Sequence, residues 1–140
     1  MGFNVSKLPE GATVFEWNGE DGKTMFFAID PMIVWASDHM SEINICITQT
    51  FKEVAQEFRA KGSIEEYKLA RITPESFYTP IFYVETTDGT HILVDGHNRY
   101  VYAAEHGMDY IPTVILMPDQ WEPFLIEPDP DAEVIMVLRP

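Results

Sequence analysis

The sequence predicts an α+β fold, a single domain with a mixed β-sheet and helices packed around it. Three observations carry that prediction. Residues 48–61 place Phe51, Val54, Ala55 and Phe58 at i, i+3, i+4 and i+7, with charged and amide residues between them, which is the period of an amphipathic helix ending at Gly62. Residues 81–85 and 91–94 are strand-like runs on either side of Asp88-Gly89, a strong short-range hairpin signal. The second run opens through Gly96 straight into a helical stretch, residues 97–106, with Gly107 at the C′ position that stops it. At 140 residues the chain can bury a core of its own, and no composition shift marks a domain boundary.

The remaining elements follow in order. Residues 13–17 and 24–29 flank a polar, glycine-containing turn and predict an N-terminal hairpin over about 13–29. Asp30-Pro31 punctuates the chain, and residues 32–40 predict a short helix. Asp38, His39 and Glu42 form a polar cluster, read as loop, ahead of the apolar residues 43–47. Ile64, Tyr67 and Leu69 predict a second short helix, and Thr73-Pro74-Glu75 a further helical start. Residues 111–116 predict a buried strand with Pro112 near its start. Residues 118–131, acidic and rich in proline, predict an extended loop, and residues 133–138 a closing strand. The motif-bearing region therefore runs over about 48–117. One core is expected to hold Phe51, Val54, Phe58, Leu93, Val101, Ala104, Val114 and Leu116, with Trp17, Trp35 and Trp121 as core or loop anchors.

Charge narrows the function. Nine Lys and Arg stand against 23 Asp and Glu, a formal charge of −14, and no basic residue lies between Arg99 and Arg139. Lys52, Arg59, Lys61, Lys68 and Arg71 form the one basic stretch. Duplex-binding proteins gain affinity by replacing phosphate counterions with basic side chains, so direct duplex DNA binding is not expected. Acidity serves solubility, and it also fits a basic protein partner or mimicry of nucleic acid. No apolar run reaches the length of a membrane span and no signal-peptide pattern opens the chain, so no membrane association is expected. Met1-Gly2 and Asn4-Val5-Ser6 match the loose patterns for myristoylation and glycosylation, both short enough to occur by chance. Cys46 is the lone cysteine, which allows no internal disulfide and suits a cytoplasmic protein.

The segment Asp95-Gly96-His97-Asn98-Arg99 carries the chemistry that the sequence can suggest. The first N–H groups of a helix lack intrahelical partners and sit at the positive end of its dipole, an arrangement suited to an anion. Gly96 permits a sharp turn and close approach of a ligand, and Arg99 can reach back and grip phosphate with two parallel hydrogen bonds. Asp95 could coordinate Mg²⁺ or orient Arg99, His97 could carry a proton, and Asn98 supplies neutral hydrogen bonds. A purely architectural reading stands beside this one: Asp95 capping the helix, Gly96 turning the chain, Arg99 pairing with a local acid. His91, His97 and His106 are close in sequence but match no zinc spacing.

Beyond the motif, residues 80–116 run Pro-Ile-Phe-Tyr-Val, Ile-Leu-Val-Asp-Gly-His-Asn-Arg-Tyr, Ala-Ala-Glu-His-Gly and Ile-Pro-Thr-Val-Ile-Leu. This passage resembles the ParB/sulfiredoxin superfamily, in which a strand pair leads to a Gly-x-x-Arg turn, an alanine-rich helix and an Ile-Pro strand. The resemblance covers about half the chain, with residues 48–61 as counterpart of the family's upstream helix. It implies a compact ParB/sulfiredoxin-like domain with nucleotide phosphate held by Gly96, His97, Asn98 and Arg99. The implied ligand is a nucleoside di- or triphosphate with Mg²⁺ near Asp95. The implied activity is that of a phosphotransferase or phosphohydrolase, with Asp95 and His97 as catalytic groups and Glu42 as the nearest match to a general base. His97 and Asn98 stand where sulfiredoxin carries its catalytic Cys and a His, so the likeness is to small stand-alone members. These include free serine kinases and plasmid or phage proteins of the fertility-inhibition type. The second reading is accordingly a non-catalytic acidic interaction or inhibitor protein of plasmid or phage origin.

Overall fold

In the computed structural model the described residues are 3–4, 12–18, 24–127 and 136–139, with side chains described for Glu16 and for residues 26–126. In chain order the elements are β1 (Phe3–Asn4), β2 (Ala12–Asn18), β3 (Thr24–Ala28), α1 (Ile29–His39), β4 (Ile43–Cys46), α2 (Gln49–Ala60), α3 (Glu66–Leu69), β5 (Ile81–Glu85), β6 (His91–Asp95), α4 (His97–Glu105), β7 (Tyr110–Leu116), α5 (Pro118–Trp121), β8 (Ile126–Glu127) and β9 (Met136–Arg139). Short 3₁₀ turns cover Pro74–Tyr78 and Glu122–Phe124. Helices together with a mixed four-stranded sheet make the chain α+β. Contacts gather into two compact units, one of Met1–His39, Val84–Thr90 and Leu116–Pro140, the other of Met40–Tyr83 and His91–Ile115. The first unit is assembled from three separated segments, so no single linker announces it in the composition.

In the first unit β2 runs antiparallel to β3, with Val14 opposite Ala28 and Trp17 opposite Met25, and parallel to β9, with Ala12 opposite Met136. β1 pairs in parallel with β8, Phe3 opposite Ile126. The glycine-containing turn at 19–23, the side chain of Trp17 and the start of the closing strand lie outside the described residues. α1 begins earlier than the sequence predicts, at Ile29, and buries Ile29, Met32 and Ala36 along one stripe. Pro31 is tolerated there because a first-turn N–H has no intrahelical partner to lose. The acidic, proline-rich segment is not an extended loop over its described part, since α5, the 3₁₀ turn and β8 occupy it. Pro118 supplies a preset φ at the first helical position, and Gln120 Oε1 accepts from Met117 N–H at 2.8 Å. Trp121 is buried, meets Phe27 edge-on at 5.5 Å and donates from Nε1 to the Glu85 carbonyl at 2.7 Å. A buried indole with a satisfied N–H is what anchors this segment. Residues 128–131 lie outside the described residues.

The second unit carries the motif. Thr48 caps α2, its Oγ1 accepting from Phe51 N–H at 3.2 Å. α2 then lays Phe51 flat on Tyr100 of α4, with ring centroids 3.6 Å apart, and turns Phe58 edge-on to the same ring at 5.3 Å. Phe51, Ala55, Leu69, Ile81, Leu93, Tyr100, Val101, Ala103 and Ile111 form the buried cluster, lined by Val54, Phe58 and Ala104. Of the expected core, Val114 and Leu116 are also buried but outside this cluster. The sheet has the order β4-β7-β5-β6. β4 is antiparallel to β7, from Ile43 opposite Thr113 to Cys46 opposite Tyr110. Ile43, Ile45 and Ile47 alternate with Asn44, Cys46 and Thr48, so β4 carries a strand period where the sequence reading gives only an apolar run after a loop. The last two residues of β5 and the hairpin turn fall in the first unit. There Asp88 accepts from Thr86 Oγ1 and from Thr90 N–H at 3.0 Å, and the Thr86 hydroxyl holds its carboxyl below the usual range.

One ion network joins three helices of the second unit. Arg59 on α2 donates to both carboxylate oxygens of Glu105 on α4, one at 2.8 Å, and to Glu66 on α3. Arg59 holds the Glu105 carboxyl below its ordinary range. A depressed folded-state pKa adds stability that is present above the unfolded value, about 4.3, and is lost as pH falls through the folded one. Glu105→Gln is therefore expected to flatten the loss of stability on the acid side of about pH 4.3. Urea midpoints measured from pH 7 down to pH 3 check this, and the effect should shrink in high salt because both side chains are more than a third exposed.

Candidate functional site

The strand-to-helix junction places the five motif residues in the second unit. β6 ends at Asp95, Gly96 takes φ +103° and α4 starts at His97, with Tyr100 N–H donating to the Gly96 carbonyl at 2.8 Å. A Cβ on Gly96 would lie 2.5 Å from Ile81 Cγ2, so the turn is pressed against the first residue of β5. Arg99 folds back over this turn, its Nη2 3.2 Å from where that Cβ would sit.

What the side chains do there differs from residue to residue. Arg99 Nη1 donates to the carbonyls of Thr79 and Pro80, the latter at 2.8 Å, and Nη2 donates to Asp95 Oδ2 at 3.3 Å. Both members of this ion pair are 15% exposed. The planar guanidinium thus pins the entry of β5 to the exit of β6, a task that uses its fork of donors. Asn98 Oδ1 accepts from Glu65 N–H at 3.1 Å, and Glu65 is the residue preceding α3, so Asn98 caps a neighbouring helix from outside. His97 is 9% exposed, with its ring edge-on to Phe58 at 4.9 Å. It sits on α4 with its ring against Phe58 of α2. Gly96, Asp95 and Arg99 converge at the junction, whereas His97 and Asn98 leave it for other tasks.

Glu42 does not join them. It is exposed and immediately precedes β4, while Asp95 ends β6, and these strands are opposite edges of the sheet. Three strand spacings of roughly 4.8 Å separate the two edges, so a carboxylate on one cannot act as base at the other. The three clustered histidines also part company: His91 tilts against Tyr83, His97 against Phe58, and His106 stacks on Tyr102 at 3.8 Å. Among the described residues no group of three His, Cys, Asp or Glu side chains could hold a metal ion. Asp95 directs its carboxylate at Arg99.

Several participants were invisible in the sequence. The acceptors of Arg99 are backbone carbonyls 19 and 20 residues upstream. Tyr83 donates to Tyr100 inside the unit, and burial pushes the Tyr100 hydroxyl up to about 12 and the Tyr83 hydroxyl higher still. The basic stretch is partly neutralised: Arg59 serves Glu105 and Glu66, and Lys68 pairs with Glu65 at 3.1 Å. Comparison with protein-family models, with curated proteins and with solved structures finds no match. Among the described residues no helix is long and apolar enough to cross a membrane.

Proposed function

We propose that this chain is a non-catalytic acidic interaction protein that engages a basic protein partner, and that Asp95–Arg99 is a strut of its scaffold. The observation that carries this reading is the engagement of Arg99 with the Thr79 and Pro80 carbonyls and with Asp95. A guanidinium held by three internal acceptors supports architecture more than ligand capture. The burial of His97, the capping role of Asn98 and the placement of Glu42 on the far sheet edge support the same reading. The charge of −14 then supplies the recognition element, since complementary potentials steer encounter and suppress wrong partners.

A second reading rests on a specific observation. Arg99 Nη2 overlies the Gly96 turn at the start of α4, a helix with no side-chain N-cap. A phosphate at that N-terminus, with Mg²⁺ at Asp95, is the arrangement implied by the resemblance of residues 80–116 to ParB/sulfiredoxin-like nucleotide-binding domains. A thermal-shift screen against nucleoside di- and triphosphates, with and without Mg²⁺, separates the two. A ligand at a hundred times its Kd stabilises by about 2.7 kcal/mol, a shift of several degrees. The expected result is no shift with any nucleotide. A reproducible rise that Arg99→Lys abolishes would replace the first reading with the second.

A further inference from the structure

The outer edge of the four-stranded sheet in the second unit bears on how a basic partner is held. Among the described residues β4 ends the strand order and pairs with β7 on one side. Antiparallel pairing alternates residues whose N–H and C=O face the neighbouring strand with residues whose groups face away. Ile47 N–H donates to the Asp109 carbonyl, which sets the phase: Ile43 and Ile45 face β7, and the backbone groups of Asn44 and Cys46 face outward. The side chains follow the other alternation. Ile45 packs against the core of the unit, and Ile43, two residues away on the same face, is 54% exposed. β4, Ile-Asn-Ile-Cys, is a short edge strand and carries neither the lysine nor the proline that often blunts a sheet edge.

From this geometry we infer that β4 is the docking edge for an extended segment of the partner, which adds as a fifth strand. The inference rests on the acidic-interaction reading and names its surface. The occupant has an apolar centre and lysines or arginines beside it, because Glu42 stands at one end of β4 and the chain carries a formal charge of −14. Glu42 immediately precedes Ile43 and is exposed. The backbone groups of Asn44 and Cys46 supply the ladder, and an apolar side chain of the partner covers Ile43 and extends the core. A second copy of this chain fits the edge poorly. Self-pairing would join two molecules that each carry a formal charge of −14.

The test uses the full chain labelled with ¹⁵N and three synthetic peptides sharing an alternating Val-Thr centre, flanked by lysines, by serines or by glutamates. The expected result is amide perturbation centred on residues 42–47 and 109–113 with the lysine-flanked peptide, at least about tenfold weaker binding with the serine-flanked one, and weakening as salt rises. Asn44→Pro removes an outward N–H and leaves the ladder to β7 intact, so it should keep the melting temperature and lower affinity by about tenfold. Ile43→Lys, at an exposed position, should do the same if Asn44→Pro fails to fold. Perturbation by the lysine-flanked peptide on another surface would overturn the β4 assignment and leave the acidic reading standing. No binding of that peptide at low salt and millimolar concentration would overturn both. Concentration-dependent dimerisation in sedimentation, abolished by Asn44→Pro, would assign the edge to a second copy instead.

Discussion

Gly96→Ala is expected to destabilise the protein by about 3 kcal/mol, the sum of backbone strain and overpacking. At φ +103° an L side chain is already strained, and the new methyl would lie 2.5 Å from Ile81 Cγ2 and 3.0 Å from Ile81 Cβ. Ile81 is fully buried and cannot swing aside, so relief has to come from moving β5 or the start of α4. Gly62→Ala is the matched control. That residue also has positive φ, +74°, but nothing lies within 4 Å of its would-be Cβ, so the cost should be the conformational part alone, about 1 kcal/mol. Urea denaturation of the two variants reads the difference directly. Equal losses would mean that the pressure of the turn on Ile81 is relieved without cost and that the junction is softer than its geometry implies.

Arg99→Ala is expected to cost a similar amount, about 3 kcal/mol, because removing one partner leaves the other polar groups of a largely buried cluster without their donor. The carbonyls of Thr79 and Pro80 lose Nη1, and the Asp95 carboxylate, 15% exposed, loses its ion-pair partner. Arg99→Lys keeps the charge but cannot reach two carbonyls and a carboxylate from one ammonium, so it should recover only part of the loss. Asp95→Asn in the Arg99→Ala background should recover part of the loss relative to the single variant, since it removes a charge that has lost its Arg99 partner. Melting temperature and urea midpoint measure all three. A parent-like stability for Arg99→Ala would show that the guanidinium is held for something other than the scaffold and would return weight to phosphate binding.

Elements specified by neighbours within one turn of helix or one hairpin were legible in the chain itself. The i, i+3, i+4 spacing of Phe51, Val54, Ala55 and Phe58, the Asp88-Gly89 turn, and Gly96 and Gly107 at the two ends of α4 are all local signals. They mark α2, β5, β6 and α4 close to their actual bounds. Trp121 shows the opposite case. Its segment reads as loop from its prolines and acids, and only the pairing of its indole with the Glu85 carbonyl and with Phe27 turns it into α5 and a strand. β4 differs from it, since the alternation of Ile43, Ile45 and Ile47 with Asn44, Cys46 and Thr48 is a local signal, and β7 supplies its hydrogen-bonding partner.

The identity of the motif was local, but the fate of its side chains was not. That a glycine sits at the junction and an arginine three residues later is written in the sequence, as is the excess of carboxylates. Whether Arg99 meets a ligand or a carbonyl depends on where residues 79 and 80 return after a chain reversal. Whether His97 faces water depends on how α2 lies on α4. Hydrogen bonds to backbone carry no side-chain signature in the acceptor, and the face a helix buries at its first turn is set by its packing partner, so tertiary structure alone decided both.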